Sequence, residues 1–281
     1  MEIFKEIQPL KTFLKVKRAQ GSLIGLVPTM GALHKGHVSL VQASRKQNGV
    51  TVCSIYINPT QFNNPNDLLK YPRTFDKDLE MLENAGCDAL FYPDNTEMYP
   101  EKPLIKIDFG HIDKVMEGQF RPGHFSGVAL VVSKFFNVVQ PDNAYFGQKD
   151  FQQFAIIQKL VDELKFGLTL HRVETLREDD GLAMSSRNLR LDSEQRLKST
   201  IFYKSLLHAK EIINEGQTIS TAKKTVADEF KKQNIKLEYF EVADSKNLNL
   251  LESVKDTKNQ PVMCIAGYVG DVRLIDNMFL D

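Results

Sequence analysis

Apolar residues in this chain fall into two kinds of run, and the two kinds alternate. LIGLV (Leu23–Val27), VTVCSIYI (Val50–Ile57), DALFYP (Asp88–Pro93), NAYFG (Asn143–Gly147) and LTLHRVET (Leu168–Thr175) are short, and the first two are apolar almost throughout. Such runs predict strands covered on both faces. Between them lie HVSLVQASRK, TFDKDLEMLENAG, GVALVVSKFFNVVQ and DFQQFAIIQKLVDEL, all of helical length and pattern. Gly86 supplies a C-cap, Pro141 stops the third helix after Gln140, and Asp150 stands where an N-cap of the fourth belongs. Strands separated by helix-length segments predict βαβ units and a mostly parallel sheet.

The pattern changes after about residue 175. REDDGLAMSSRNLRLDSEQ is polar, and two helices follow, one from Glu194 to about Glu215 and one from Thr218 to about Lys232. IKLEYFEVAD and PVMCIAGYVGDVRLID then read as β structure. The expectation is an α/β domain over residues 1–175 and a smaller α+β domain over 176–281. A length of 281 residues with 42% hydrophobic composition suits two cores. No internal repeat or low-complexity tract interrupts the chain.

Charge narrows the function. Lys+Arg and Asp+Glu are both 36, so a general nucleic-acid surface, which needs excess positive charge, is not expected. Cys53, Cys87 and Cys264 are far apart, two of them in apolar runs, and read as buried thiols of a reducing compartment. The N-terminus is amphipathic and lacks the apolar core of a signal peptide, and no apolar run reaches the length of a membrane span.

Ligands of open parallel sheets bind beyond the carboxyl ends of the strands, so each polar segment following a strand is a candidate site. PTMGALHKGH (Pro28–His37) follows the first strand and opens a helix. Gly31 and Gly36 allow close backbone approach, and the helix N-terminus with His34 and His37 offers donors to an anion. Two histidines at this spacing also suit a metal, but there is no HExxH and no third ligand nearby. NPTQFNNPNDLLKYPRT (Asn58–Thr74) is a lid-length loop in which Asn58 and Gln61 can bind a small polar substrate, with Tyr71 on the same loop. In FGQKDFQQ, Lys149 is a point charge for phosphate, Asp150 a cap or ligand, and Gln153 lies one turn along. MSSRN (Met184–Asn188) combines two hydroxyls with Arg187 as a phosphate clamp or a solvated turn. Arg121 and His124 of RPGHFSG either join the site or cap the apolar helix. Direct magnesium ligands are not identified, with Asp78 and Asp150 as candidates. Unaided, these residues describe an ATP-using enzyme acting on a small polar acid.

PTMGALHKGH, INPTQF, YPRT, RPGHFSGV, QPDNAYFGQKDFQQ, DGLAMSSRN and GDVRLIDN together resemble the pantothenate synthetase (pantoate–β-alanine ligase) family, in its order and over nearly the whole chain. HxGH alone marks only the wider nucleotidyltransferase superfamily. One departure is Gln148, where the family often has glutamate. The resemblance implies a Rossmann-like N-terminal domain with helices on both faces, a smaller C-terminal lid domain, and a cytoplasmic homodimer. It implies a magnesium-requiring ligation of pantoate and β-alanine through pantoyl adenylate, releasing pyrophosphate and AMP. Carried over by position, Met30, Gly31, Ala32, Leu33, His34, Lys35, Gly36 and His37 form an ATP-binding turn, with His37 the catalytic acid. Gly147, Gln148, Lys149, Asp150, Met184, Ser185, Ser186 and Arg187 are further ATP-binding positions. His34 and Lys149 join His37 in catalysis, Gln61 and Gln153 contact pantoate, and Gln61 also lies at the β-alanine position.

Three other readings compete. A transferase of AMP to a phosphate would need more Lys or Arg where Gln61 and Gln153 stand. A class I tRNA synthetase would need a longer, more basic chain. A nucleotide-binding scaffold on the same fold would bind ATP without turnover.

Overall fold

The computed structural model describes residues 1–63 and 65–281, so Asn64, inside the lid-length loop, lies outside it. Six strands, β1 (Glu2–Phe4), β2 (Ile24–Thr29), β3 (Val50–Ile55), β4 (Ala89–Phe91), β5 (Asn143–Gly147) and β6 (Thr169–Val173), form one sheet in the order β1-β4-β3-β2-β5-β6. Every pairing in it is parallel. Alternation along β2 and β3 decides which helices cover which face. Ile24, Leu26, Val50 and Val52 pack with the helices Ile7–Ala19, His124–Val139 and Phe151–Leu164. Val27, Cys53 and Ile55 point the other way, to the helices Lys35–Arg45 and Phe75–Asn84. Both faces are therefore buried, as the apolar runs require.

The chain winds outward from β2 through β3 to β4, then returns to start β5 on the opposite side of β2. The β2–β5 ladder pairs Gly25 with Asn143 and Leu26 with Ala144 and goes no further. Beyond it Pro28, which has no N–H to give, continues beside β3 alone. The two strands part there, and a cleft opens at the carboxyl ends of the sheet.

A second sheet, β7 (Lys236–Asp244), β8 (Pro261–Val269) and β9 (Val272–Phe279), is antiparallel in sequence order. The helices Ile201–Asn214 and Ile219–Lys232 cover one face. Its other face meets the first domain. Tyr239, Ala243, Val262, Cys264 and Ala266 pack there against Ile112, Met116, Phe125, Phe151 and Ile156. Burying a large apolar side chain is worth about 1.5–3 kcal/mol, whereas a buried ion pair is worth little net. The apolar seam therefore holds the domains together, and the charges beside it fix their register. Those charges come mainly from β9. Arg273 forks onto Glu117 at 2.7 and 2.8 Å, and Asn277 donates to the carbonyls of Gln148 and Lys149 at 2.9 and 2.8 Å; within the second domain, Asp276 takes a fork from Arg177 at 2.6 and 3.0 Å. Burial alone would raise the Glu117 carboxyl, but its bonds to Arg273 win and hold it down at about 2.

Several expectations need correction. The single helix expected over Glu194–Glu215 is two, Ser193–Lys198 and Ile201–Asn214. Ser199 and Thr200 bond back to the carbonyls of Arg196 and Leu197 and break the ladder between them. The apolar helix begins at His124, three residues earlier than its hydrophobic pattern. Neither Arg121 nor His124 caps it, because its N-cap is Gly123, in the left-handed region with no side chain to offer. Asp150 occupies the N-cap position of the Phe151–Leu164 helix but makes no capping bond; its carboxylate lies 3.8 Å from Lys149 Nζ instead. Asn58–Thr74 contains a 3-10 turn, Pro59–Gln61, and a short helix, Pro65–Leu69.

Gly127 is where the apolar helix crosses that turn. A Cβ there would stand 2.3 Å from the Thr60 carbonyl oxygen and 2.8 Å from Gln61 Cα, both backbone atoms. Gly127→Ala is expected to cost about 1–3 kcal/mol by overpacking, read as a lowered urea midpoint. An unchanged midpoint would show that helix and turn do not depend on this contact.

Candidate active site

The turn after β2 is built by a carboxylate and two imidazoles. Gly31 and Ala32 both take left-handed backbone, with φ of 81° and 50°. Asp78, buried on the Phe75–Asn84 helix, accepts the N–H groups of Ala32 at 2.9 Å and Leu33 at 2.7 Å, and the Thr74 hydroxyl at 3.0 Å. Both of its oxygens thus help to shape the turn, and Asp78 faces a recess beside the main cleft rather than the cleft itself.

His34 is the N-cap of the Lys35–Arg45 helix. Its Nδ1 accepts from Gly36 N–H at 3.1 Å, and His37 Nδ1 accepts from His34 N–H at 3.2 Å. This is a capping box made of two histidines, in place of the usual hydroxyl and carboxylate. Gly36 makes room for it, since a Cβ there would come within 2.9 Å of the His34 ring. Both Nδ1 atoms accept, so both rings carry their proton on Nε2. Burial, with Lys149 nearby, lowers His34 to about 4. Burial, with His34 and Lys149 adding to it, sets His37 well below the ordinary histidine range. The turn therefore presents two neutral Nε2–H donors, with ring centroids 4.1 Å apart.

The cleft brings together Met30, His34, Gly36, His37, Gln61, Gly147, Lys149, Asp150, Gln153, Met184, Ser185, Ser186 and Arg187. The remaining expected residues do not line it. Gly31 and Ala32 face a neighbouring recess, Leu33 is in the core, Lys35 is exposed, and Gln148 engages Asn277 through its carbonyl. The glutamate-to-glutamine departure at 148 thus falls outside the lining.

Gln61 is buried and its amide is oriented. Asn58 Nδ2 donates to its Oε1 at 3.1 Å, and its own Nε2 reaches Met30 Sδ at 3.1 Å. His124 Nδ1 donates to the Gln61 carbonyl at 2.8 Å, so His124 supports the site rather than lining the main cleft. Arg187 Nη2 is held at 3.2 Å by Asp67, which Arg190 also approaches at 3.4 Å. The Tyr71 hydroxyl lies 3.4 Å from Ser186 Oγ, linking the loop to MSSRN.

Sequence reasoning missed the apolar wall, Val128, Val131, Val132 and Phe135. Their i, i+3, i+4, i+7 spacing was visible, but the helix is apolar on more than one side, and nothing in the run says which side borders a cleft. Tyr56, Glu174 and Thr175 of the lining were also missed.

Comparison with known proteins agrees with this geometry. The Pantoate-beta-alanine ligase family matches residues 2–279. Pantothenate synthetase of Bacteroides thetaiotaomicron is 46% identical over 279 residues, covering 99% of this chain and 98% of its own. That of Cytophaga hutchinsonii is 45% identical over 278 residues, covering 98% and 97%. The crystal structure of pantothenate synthetase from Thermus thermophilus superposes with a TM-score of 0.92 at 36% identity, covering 99% of each chain. Pantoate-beta-alanine ligase from Francisella tularensis, complexed with beta-gamma ATP and beta-alanine, superposes at 0.84 with 33% identity, covering 99% of this chain and 97% of its own. With the sheet order, the paired histidines and these matches in agreement, the chain belongs to the pantoate–β-alanine ligase family.

Proposed function

We propose that this protein joins pantoate to β-alanine using ATP, through pantoyl adenylate. In the first step a pantoate carboxylate oxygen attacks the α-phosphorus. The bond to the bridging oxygen breaks, and pyrophosphate leaves with its electron pair. In the second step the unprotonated amine of β-alanine attacks the acyl carbon. A C–N bond forms, the C–O bond to phosphate breaks, AMP leaves, and the nitrogen sheds a proton. The observation that carries this reading is the convergence of two neutral Nε2–H donors, Lys149 and Arg187 on one cleft whose lining also includes Gln61 and Gln153. Preorganised donors and cations stabilise charge growing on the phosphates, and oriented amides suit a hydroxy acid.

Each residue has a task in this reading. His34 and His37 donate from Nε2 to the α-phosphate and the departing oxygen. Lys149 and Arg187 pair with the phosphates, which displace Asp67 from Arg187. Gln61 and Gln153 hold pantoate, and Gln61 leaves the β-alanine amine room to approach. The apolar wall limits water and so protects the mixed anhydride. Residues 1–175 carry most of this machinery, and 176–281 supply MSSRN as the cover.

Magnesium fits on the substrate rather than in a protein cage. Among the described residues there is no group of three or more His, Cys, Asp or Glu able to hold a metal. Asp150 and Glu174 are the carboxylates lining the cleft, a number suited to an ion carried in on phosphates. When bound, the ion neutralises phosphate charge.

The protein works as a cytoplasmic homodimer in this reading. Its three cysteines are free and buried, and Leu104 and Ile105 stand 92% and 68% exposed on one extended segment, an apolar contact for a second copy. Among the described residues no helix is long and apolar enough to cross a membrane.

Pantoate-dependent exchange of labelled pyrophosphate into ATP, without β-alanine, tests the adenylate directly. Exchange is expected; binding of ATP with no exchange would mean either that the acid is a different one, to be found by screening other carboxylates, or that the protein binds nucleotide without this chemistry. His37→Ala is expected to slow this exchange by roughly 10²–10³, the scale of one lost oxyanion donor; a near-normal rate would remove His37 from the chemistry. In the free protein the His34 imidazole is expected to show no NMR titration near 6.5, and to titrate near 4. Because the unfolded chain takes up that proton first, stability should rise with pH from about 4 to 6.5 and then level off as far as this group is concerned. Titration near 6.5 would contradict the neutral cap. Leu104→Glu combined with Ile105→Glu is expected to yield a folded monomer by light scattering, and an unchanged dimer would place the interface elsewhere.

A further inference from the structure

We propose that Arg121 is the anchor for the carboxylate of β-alanine in the second half-reaction, an assignment that rests on the ligation reading above. β-Alanine brings its own charge problem. Its amine must be neutral at the acyl carbon, yet its carboxylate stays ionised and needs a partner once it leaves water. Lys149 and Arg187 are occupied by phosphate in that reading, so a further cation is required.

Arg121 stands where such a cation is useful. It lies on the wall common to two side chambers of the main cleft. One chamber shares Lys149, Asp150 and Gln153 with the cleft, and the other shares Arg187. Its side chain is only 21% exposed. Its hydrogen-bonding capacity is unspent. Glu117, the nearest carboxylate, has both oxygens taken by Arg273 at 2.7 and 2.8 Å and a further bond from the Tyr239 hydroxyl at 2.9 Å. Arg121 Nη1 approaches Glu117 Oε2 only to 3.6 Å, beyond hydrogen-bond reach. Among the described residues its guanidinium makes no side-chain hydrogen bond, although it carries five N–H donors in a planar fork that matches a carboxylate. Burial disfavours its charge; Glu117 offsets this in part and Asp150 a little, while Arg187 and Arg273 of the same sign add to it, and an arriving anion would relieve the remainder.

Register favours an amino acid over a bare anion. Two residues beyond Pro122, His124 holds the Gln61 carbonyl at 2.8 Å, so the segment carrying Arg121 is tied to the turn that holds pantoate. An acid gripped at Arg121 is thereby set relative to the acyl group its amine must reach. The competing source of the same anionic chemistry is departing pyrophosphate.

The test uses Arg121→Gln and Arg121→Lys in the full-length enzyme, with two amines, β-alanine and 3-aminopropan-1-ol, which lacks the carboxylate. Pantoate-dependent pyrophosphate exchange without β-alanine serves as the control for folding and for the first step. In Arg121→Gln, exchange and its KM for pyrophosphate are expected to stay within about twofold, while kcat/KM for β-alanine falls about 10- to 100-fold, the scale of a lost charged hydrogen bond. The preference for β-alanine over the aminoalcohol falls by the same factor, and Arg121→Lys restores part of it. An unchanged preference overturns the anchor while leaving the ligation reading intact. A raised KM for pyrophosphate assigns Arg121 to the leaving group, and a collapse of exchange assigns it to structure; either overturns the proposal. No exchange in the unaltered enzyme overturns the ligation reading, and the anchor with it.

Discussion

β2 and β5 stop pairing after Leu26 and Ala144, and the chemistry of this molecule is arranged around that parting. Parallel strands send their following segments out on the same side, so separating two neighbours leaves a gap lined by two independent turns. The β2 turn brings His34 and His37, and the β5 turn brings Lys149 and Asp150. Neither turn could hold a triphosphate alone. The constraint is sharp because β2 lies between β3 and β5 in a sheet buried on both faces. Slipping β2 by one residue would exchange Leu26 and Val27 between the two cores and carry the turn with it.

Neutral donors beside cations solve an electrostatic problem in this cleft. Charged imidazoles next to Lys149 would repel it and one another in a poorly solvated pocket. Burial keeps the rings neutral, and the reciprocal cap commits each Nδ1 to a backbone N–H. The Nε2–H groups are thereby aimed before any ligand arrives, which spares reorganisation during reaction. The helix N-terminus contributes in the same direction, since its dipole favours anions and disfavours imidazolium.

The legible parts of the sequence were those where one local rule decides. β2 and β3 were readable because strands covered on both faces must be apolar throughout. The segments bearing His34, Lys149 and Arg187 were readable because polar, Gly-containing turns follow or face such strands. The two-histidine cap was not, since capping boxes are sought as a hydroxyl or carboxylate followed by Glu or Gln. Nor was the break at Ser199 and Thr200, residues tolerated within helices when their hydroxyls point elsewhere. Strand β1, three residues long, is too short to display a period. Arg121 was visible as a residue of interest, but its unspent donors appear only once Arg273, more than 150 residues away, is seen to hold Glu117.

That long-range pairing also explains why the C-terminal GDVRLIDN segment accompanies the catalytic motifs. It contains no group that lines the main cleft, yet Arg273 and Asn277 reach across the domain boundary, and Asp276 binds Arg177 just inside it. Asn277 clasps the carbonyls on either side of the Gln148–Lys149 bond, so the height of Lys149 above the sheet is set from the second domain. Asp276 holds Arg177, at the base of the hairpin that leads to MSSRN. Arg273 takes up the hydrogen-bonding capacity of Glu117 and so leaves Arg121, among the described residues, a 3.6 Å ion pair with it and no side-chain hydrogen bond. One strand edge therefore bears on the positions of Lys149, the MSSRN segment and Arg121. Packed on an apolar seam, it holds all three in one fixed frame.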